Sequence, residues 1–305
     1  MSAQIMGRWL TVSSEPSSGD RRYILALSCP DSTGIVARIT GFLADVGGWI
    51  TDAAYHSDEE AGRFFTRQEI RADSLAFDAA ELRARFAPVA AMLNAEHFQV
   101  IDTSIRKRMV LLVSKEGHCL YDLLGRWHSG ELAVDIPLVI GNHPDLEPVA
   151  RMFGIPFVTV PVPPDAAGKA AAFGEIRRLA EGAEPDVIVL ARFMQVIPAE
   201  LCTAWDGVLI NIHHGFLPSF RGARPYHQAY ARGVKLIGAT CHYVTAELDA
   251  GPIIEQDVIH VDHSDSAAAM VRRGRDIERA VLFRGLVAHL QDRVFRDGLR
   301  TIVFR

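Results

Sequence analysis

Between residues 209 and 256 the chain gathers side chains that can manage addition to a carbonyl group. An apolar run ends in Asn211-Ile212-His213-His214, and a single acid, Asp249, sits in the turn-forming stretch Leu-Asp-Ala-Gly-Pro. An asparagine amide donates an N–H to an oxygen gaining negative charge. An imidazole does the same or moves a proton, and a carboxylate beside it fixes its tautomer and favours its charged form. Together these are an oxyanion-stabilising and acid/base set suited to acyl transfer. No Ser or Cys lies in a nucleophile-elbow context, so direct attack by water or an amine is expected rather than an acyl-enzyme.

The elements that must position these groups follow from hydrophobic periodicity. From residue 109 onward strands and helices alternate. Strands are expected at 109–114, 136–141, 157–160, 187–190 and 208–212, with helices at 118–127, 146–153 and 166–181. Such alternation implies a doubly wound, mostly parallel, Rossmann-like α/β sheet whose ligands bind outside the carboxyl ends of the strands. Asn211 and His213 fall at such an end. Later strands are expected at 236–244 and 253–258, a long last helix at 266–290 and an edge strand at 301–304. The segment His260-Val-Asp262-His263-Ser-Asp265 reads as a helix-cap loop rather than a metal site; no metal is expected anywhere in the chain.

Ahead of this lies a smaller pattern. Residues 1–20 read as a flexible tail, 21–104 as one domain, 104–108 as a polar linker and 109–305 as a second domain. In the small domain, strands at 22–28, 49–57, 63–72 and 97–103 and helices at 35–46 and 78–94 give the order βαββαβ, a ferredoxin-like arrangement. Asp31 or Ser32 is expected to cap the first helix.

Several positions match a known family. Asn211-x-His213 with Leu217-Pro218 and Gly222, then His242-Tyr-Val-Thr and Leu248-Asp249-x-Gly251-Pro252, resembles the folate-dependent formyltransferases. The His213-His214 pair, the run Gly222–His227 and the N-terminal domain resemble one branch, the formyltetrahydrofolate deformylases. One departure is Gly215, where that branch is expected to carry Ser. The resemblance implies hydrolysis of 10-formyltetrahydrofolate to formate and tetrahydrofolate, with that folate as substrate and no separate cofactor. The released formate would serve purine synthesis or balance the one-carbon folates. It implies Asn211, His213 and Asp249 as catalytic residues, with His242 close behind the cleft. His214 either assists His213 or is a packed neighbour. Met194, Gln195, Val196 and Ile197, with Val244, Glu247 and Leu248, are implied to hold the pterin. The loop Pro30-Asp31-x-x-Gly34 resembles that of an ACT domain. Asp31, Gly34 and Ile35 then form an amino-acid effector site, or the domain serves only to pair subunits in a homo-oligomer, a dimer or tetramer.

Two features separate this reading from its relatives. The loop after the strand at 109–114 is Ser-Lys-Glu-Gly-His-Cys-Leu, with no GxGxxG for a dinucleotide. In the branch that formylates glycinamide ribonucleotide this loop is Gly-rich and cradles a phosphate; its absence favours water as acceptor. A non-catalytic amino-acid sensor is the remaining alternative, against which the intact Asn211, His213 and Asp249 count. Composition narrows the partners further. The net charge is −5 over 305 residues, without a basic tail, so nucleic acid is not an expected partner. No apolar run reaches membrane-spanning length. The four cysteines, at 29, 119, 202 and 241, are scattered without metal spacing, which fits a reducing cytoplasm.

Overall fold

The computed structural model describes residues 21–219 and 225–305. The expected tail and part of the run 222–227 lie outside the described residues. The chain divides after Ile105 into two compact units.

The first unit runs β1 (Arg22–Pro30), α1 (Ile35–Asp45), β2 (Ile50–Asp58), β3 (Arg63–Arg71), α2 (Ala79–Met92) and β4 (His97–Asp102). Its antiparallel sheet has the order β2-β3-β1-β4, the ferredoxin-like arrangement. Alternate residues of β1, among them Tyr23, Leu25 and Leu27, share a core with Ile35, Ile39 and Leu43 of α1 and Leu82, Phe86 and Val89 of α2. The periods of two and near four deliver one apolar face from each element. Asp78 caps α2 by accepting the Glu81 N–H at 2.9 Å. The expected side-chain cap of α1 is absent. Gly34 holds the cap position, and the Asp31 carboxylate instead accepts the Ser57 hydroxyl of β2.

The second unit comprises β5 (Arg108–Val113), α3 (His118–Ser129), β6 (Asp135–Gly141), α4 (Glu147–Met152), β7 (Phe157–Thr159), α5 (Ala166–Gly182), β8 (Val187–Leu190), α6 (Ala199–Ala204), β9 (Leu209–His213), α7 (Pro225–Arg232), β10 (Leu236–Tyr243), β11 (Ile253–His260), α8 (Ala267–Leu290), β12 (Val294–Asp297) and β13 (Arg300–Val303). Its main sheet has the order β11-β10-β9-β8-β5-β6-β7. The strands from β9 through β8, β5 and β6 to β7 are parallel. The antiparallel pair β10 and β11 extends the β9 side.

The expected edge strand at 301–304 does not join this sheet. Arg300–Val303 pairs only with β12, in a separate hairpin, because the two-residue turn Gly298-Leu299 returns the chain onto itself. The linker is also shorter than expected. Arg108 already belongs to β5, its N–H held by Asp186 Oδ2 at 2.7 Å. Ser266, rather than Ser264 or Asp265, caps α8 through the Ala269 N–H. The short helices α6 and α7 were not expected; at six and eight residues they carry too few turns to leave a periodic signal.

Two apolar layers sandwich the main sheet. One joins α3 and α8 to Ile210 and Ile212 of β9 and Cys241 and Tyr243 of β10. The other joins α5 and α6 to Val110, Ile188 and Leu209. Because side chains alternate along a strand, Leu209, Asn211 and His213 share the second face. Where that core ends, β9 changes from apolar to polar.

Helix α8 packs closely on β10 at Gly285, where a Cβ would lie 2.5 Å from Cys241 Sγ and 2.9 Å from its Cβ. Gly285→Val should therefore destabilise the second unit by roughly 1–3 kcal/mol from overpacking, more than a better helix former returns. Urea unfolding checks this; a midpoint equal to wild type would mean that the helix can move away freely.

Candidate active site

The site lies at the carboxyl ends of β8 and β9 and in the loop after β10. Three strand ends are tied together first. Ser114, just past β5, donates its hydroxyl to Asn142 Oδ1 beyond β6 at 2.7 Å. The same hydroxyl oxygen accepts the Met194 N–H beyond β8 at 2.9 Å. Buried serine and asparagine thus hold the 191–197 loop against the sheet.

Asn211 and His213 are placed by register. β9 and β10 run antiparallel with Asn211 opposite His242 and His213 opposite Thr240. His242 Nδ1 lies 2.8 Å from the Tyr243 carbonyl oxygen, so Nδ1 carries the proton and donates it there. The bare Nε2 then accepts from Asn211 Nδ2 at 3.1 Å. This fixes the orientation of the Asn211 amide and leaves its second N–H for the cleft. Burial lowers the His242 pKa to about 4, against the opposing effect of that carbonyl bond, so the ring is neutral at pH 7 and suits this tautomer. His214 is also neutral, its pKa lowered to about 3 by burial first and then by the charge of Arg192.

Asp249 reaches His213 from the loop after β10. Its Oδ1 stands 3.2 Å from His213 Nδ1, and both side chains are buried. Asp249 takes a left-handed φ of 53°, a conformation that aspartate tolerates better than most residues. Gly251 lies against the Tyr243 carbonyl, with a would-be Cβ 1.9 Å from that oxygen. The stretch Leu-Asp-Ala-Gly-Pro is therefore pressed onto the strand that also orients His242. The loop after β9 is fixed as firmly. The buried Thr240 hydroxyl donates to the carbonyl of Gly215 and accepts from the Leu217 N–H and from Gln256 Nε2. These bonds use the Gly215 backbone, so they do not depend on a side chain there.

Asn211, His213 and Asp249 converge on one cavity of about 240 Å³, as do His214 and His242. Met194, Gln195, Val196, Ile197, Val244 and Leu248 line it too. Met194, Val196 and Leu248 are large apolar side chains left exposed, a common mark of a ligand site. Glu247 is exposed and does not line the cavity. Of the small-domain residues, Asp31 and Gly34 are exposed, whereas Ile35 is a core side chain.

Sequence reading missed Arg192, which lines the cavity, and three residues grouped near it, His118, Tyr226 and Glu278. A lone cation directly after the all-apolar strand β8 was the available signal for Arg192. His118 opens α3, Glu278 lies in the charged run of α8, which reads as a solvated face, and Tyr226 lies in α7, a helix that was not expected. One donor atom each of His118, Cys119 and Glu278 lies within 4.8 Å of the others. The Cys119 thiol is pushed well above its usual pKa, by burial first and then by Glu278.

Comparison with known proteins gives this arrangement its context. The formyl transferase family model matches residues 107–286. A formyltetrahydrofolate deformylase from Synechocystis is 44% identical over 280 residues, covering 92% of this chain and 97% of its own. The chain belongs to the formyltetrahydrofolate deformylase family. A solved structure of a formyltetrahydrofolate deformylase from Pseudomonas syringae superposes with a TM-score of 0.91 at 54% identity, covering 93% of this chain and 95% of that one. A glycinamide ribonucleotide transformylase from Symbiobacterium toebii shares the fold more distantly: TM-score 0.61, 27% identity, 66% of this chain and 95% of its own. The family is therefore embedded in a wider formyl-transfer fold.

Two outcomes follow from the geometry. Gly251→Ala must displace either its loop or the Tyr243 carbonyl, moving Asp249 or His242. Turnover should fall by roughly 10²-fold, as expected for a misplacement near 1 Å, while folding persists; a near wild-type rate would mean that the loop absorbs the methyl group. The second concerns acid stability. His214, His242 and His289 have folded pKa values lowered from 6.5 to about 3, 4 and 3, each chiefly by burial. Above pH 6.5 both folded and unfolded chains hold these rings neutral, so these groups add no pH dependence. Below it the unfolded chain binds protons that the folded chain refuses, and stability falls until about pH 3–4. Denaturation midpoints should thus drop between pH 7 and pH 5; a rise over that window would contradict the assignment.

Proposed function

We propose that the chain hydrolyses 10-formyltetrahydrofolate to formate and tetrahydrofolate, with Asn211, His213 and Asp249 as its catalytic groups. The supporting observation is their convergence on one apolar-lipped cavity, with His213 Nδ1 3.2 Å from an Asp249 carboxylate oxygen, in a chain of the deformylase family. The free N–H of Asn211 and the Nε2–H of protonated His213 receive the formyl oxygen as water adds to its carbon. Asp249 sustains the imidazolium and takes the proton from the attacking water. The His213–Asp249 pair then returns a proton to the folate nitrogen as the C–N bond breaks, releasing formate. Each step is a carbonyl addition, an elimination or a proton transfer, for which these three side chains suffice. The pterin rests in the cavity along the backbone of Met194–Ile197 and of Val244–Leu248. The exposed Met194, Val196 and Leu248 cover its apolar face; Glu247, outside the lining, faces solvent.

The first unit is an ACT-like module. Its exposed Asp31 and Gly34 form the amino-acid effector site, with Ile35 serving the core beneath, and the module pairs subunits in a homo-oligomer, a dimer or tetramer. The enzyme acts in the cytoplasm and supplies formate to purine synthesis while balancing the one-carbon folates.

Asp249→Asn should fold as wild type yet lose on the order of 10²–10⁴-fold in turnover, since an amide neither sustains a charged His213 nor accepts a proton. Formate release from 10-formyltetrahydrofolate in the absence of amines is the assay, and it also tests the hydrolytic reading itself. Titrating glycine or methionine into that assay should change the rate. Indifference to every amino acid, in rate and in thermal stability, would leave the first unit as an assembly module only.

A further inference from the structure

The catalytic set does not by itself distinguish water from an amine. Asn211, His213 and Asp249 would serve either nucleophile, and a neutral amine attacks a formyl carbon more readily than water does. Discrimination must therefore come from the space beside them. Behind that space lies a buried carboxylate with no part in the mechanism above. Glu278, on α8, is 1% exposed, and three groups from separate elements converge on it: His118 Nε2 at 2.8 Å, the Tyr226 hydroxyl at 2.8 Å and Arg192 Nε at 3.4 Å. Burial alone would raise its pKa, but the His118 hydrogen bond and the Arg192 charge hold it below the usual carboxylate range. An ionised carboxylate survives burial only when paired in this way.

The cluster adjoins the reaction centre. The His214 ring stands 5.3 Å from that of His213 and 6.1 Å from that of Tyr226. Arg192 lines the same cavity as Asn211, His213 and Asp249. It does so from a left-handed φ of 65°, a conformation that costs a side chain with a Cβ more than it costs glycine. The fold thus carries a strained backbone position that places a large cation beside the formyl site, and buried Glu278 faces that cation as an ion pair at 3.4 Å, with no hydrogen bond at Arg192 Nε.

We propose that Arg192, anchored by Glu278 with His118 and Tyr226, is the specificity-determining element that limits the acceptor to water. The side chain fills the volume that an amine and its substituent need. This inference rests on the hydrolytic reading. In the transfer it prevents, the amine lone pair forms a bond to the formyl carbon. The carbon–nitrogen bond to folate breaks, its electron pair stays on that nitrogen, and the amine's surplus proton passes to the same nitrogen. The products are a formamide and tetrahydrofolate.

The test is a partition measurement. Wild type, Arg192→Gly and Glu278→Gln each receive 10-formyltetrahydrofolate with hydroxylamine or glycinamide, and formate, formylated amine and tetrahydrofolate are quantified. Wild type should yield formate equal to tetrahydrofolate. Arg192→Gly, which also relieves the left-handed backbone, should raise the ratio of formylated amine to formate at least ~10-fold. Glu278→Gln, which frees Arg192 without removing it, should raise it less. The ratio does not depend on the amount of active protein, so partial misfolding does not obscure it; if one variant fails to fold, the other decides. An unchanged ratio in a variant that still consumes substrate overturns the proposal. If wild type itself releases no formate, the hydrolytic reading fails instead, and the two failures are told apart by which protein shows them.

Discussion

The antiparallel register between β9 and β10 is the constraint on which the site depends. It sets Asn211 opposite His242 and His213 opposite Thr240, so that each has a polar residue directly across the ladder. Cross-strand neighbours on one face are within reach of each other, and here that proximity becomes a fixed amide and a fixed loop. A slip of one residue would turn Asn211 and His213 into the layer occupied by α8 and turn Ile210 and Ile212 towards the cleft. Burial of those isoleucines against α8 therefore protects this register, because a one-residue slip would take them out of that layer and set two polar side chains in their place.

Around this pair the surroundings are arranged so that few groups compete for protons. His214 and His242 lie beside His213, and burial holds both neutral. His242 acts through its tautomer: the Tyr243 carbonyl takes its one proton, and its bare nitrogen aims the Asn211 amide. Asp249 is the acid that faces His213, delivered from a left-handed position in a loop pressed against Tyr243. The rings neighbouring the His213–Asp249 pair are thereby kept as uncharged supports.

The same geometry bears on how one fold serves different acceptors. On the mechanism proposed, Asn211, His213 and Asp249 suit any formyl acceptor, and the groups that border them select it. In this chain the border is polar. A buried carboxylate on the last helix gathers an arginine, a histidine and a tyrosine from three other elements. Such a cluster costs desolvation and contributes little net stability, which fits a role in selecting the nucleophile better than a role in holding the fold.

The sequence alone determined the ferredoxin-like order of the first unit, the mostly parallel sheet of the second, the strand that carries Asn211 and His213, and the turn that carries Asp249. These are local properties: periods of two and near four, and Gly-Pro punctuation, act over a few residues and are visible in one dimension. Most of the cavity wall, from Met194 to Ile197 and at Val244 and Leu248, was legible through family resemblance. Tertiary structure alone decided the rest. It set the Asn211–His242 bond between residues 31 apart in sequence and left Gly34 at the cap of α1 in place of Asp31 or Ser32, with Asp31 bonded to Ser57 instead. It also folded the last strand into a hairpin rather than onto an edge, and it brought Arg192, His118 and Tyr226 to Glu278. The physical reason is the same in each case. A polar side chain in one dimension carries no mark of its partner, and its role is settled only when burial removes water and leaves whichever group the fold has brought within reach.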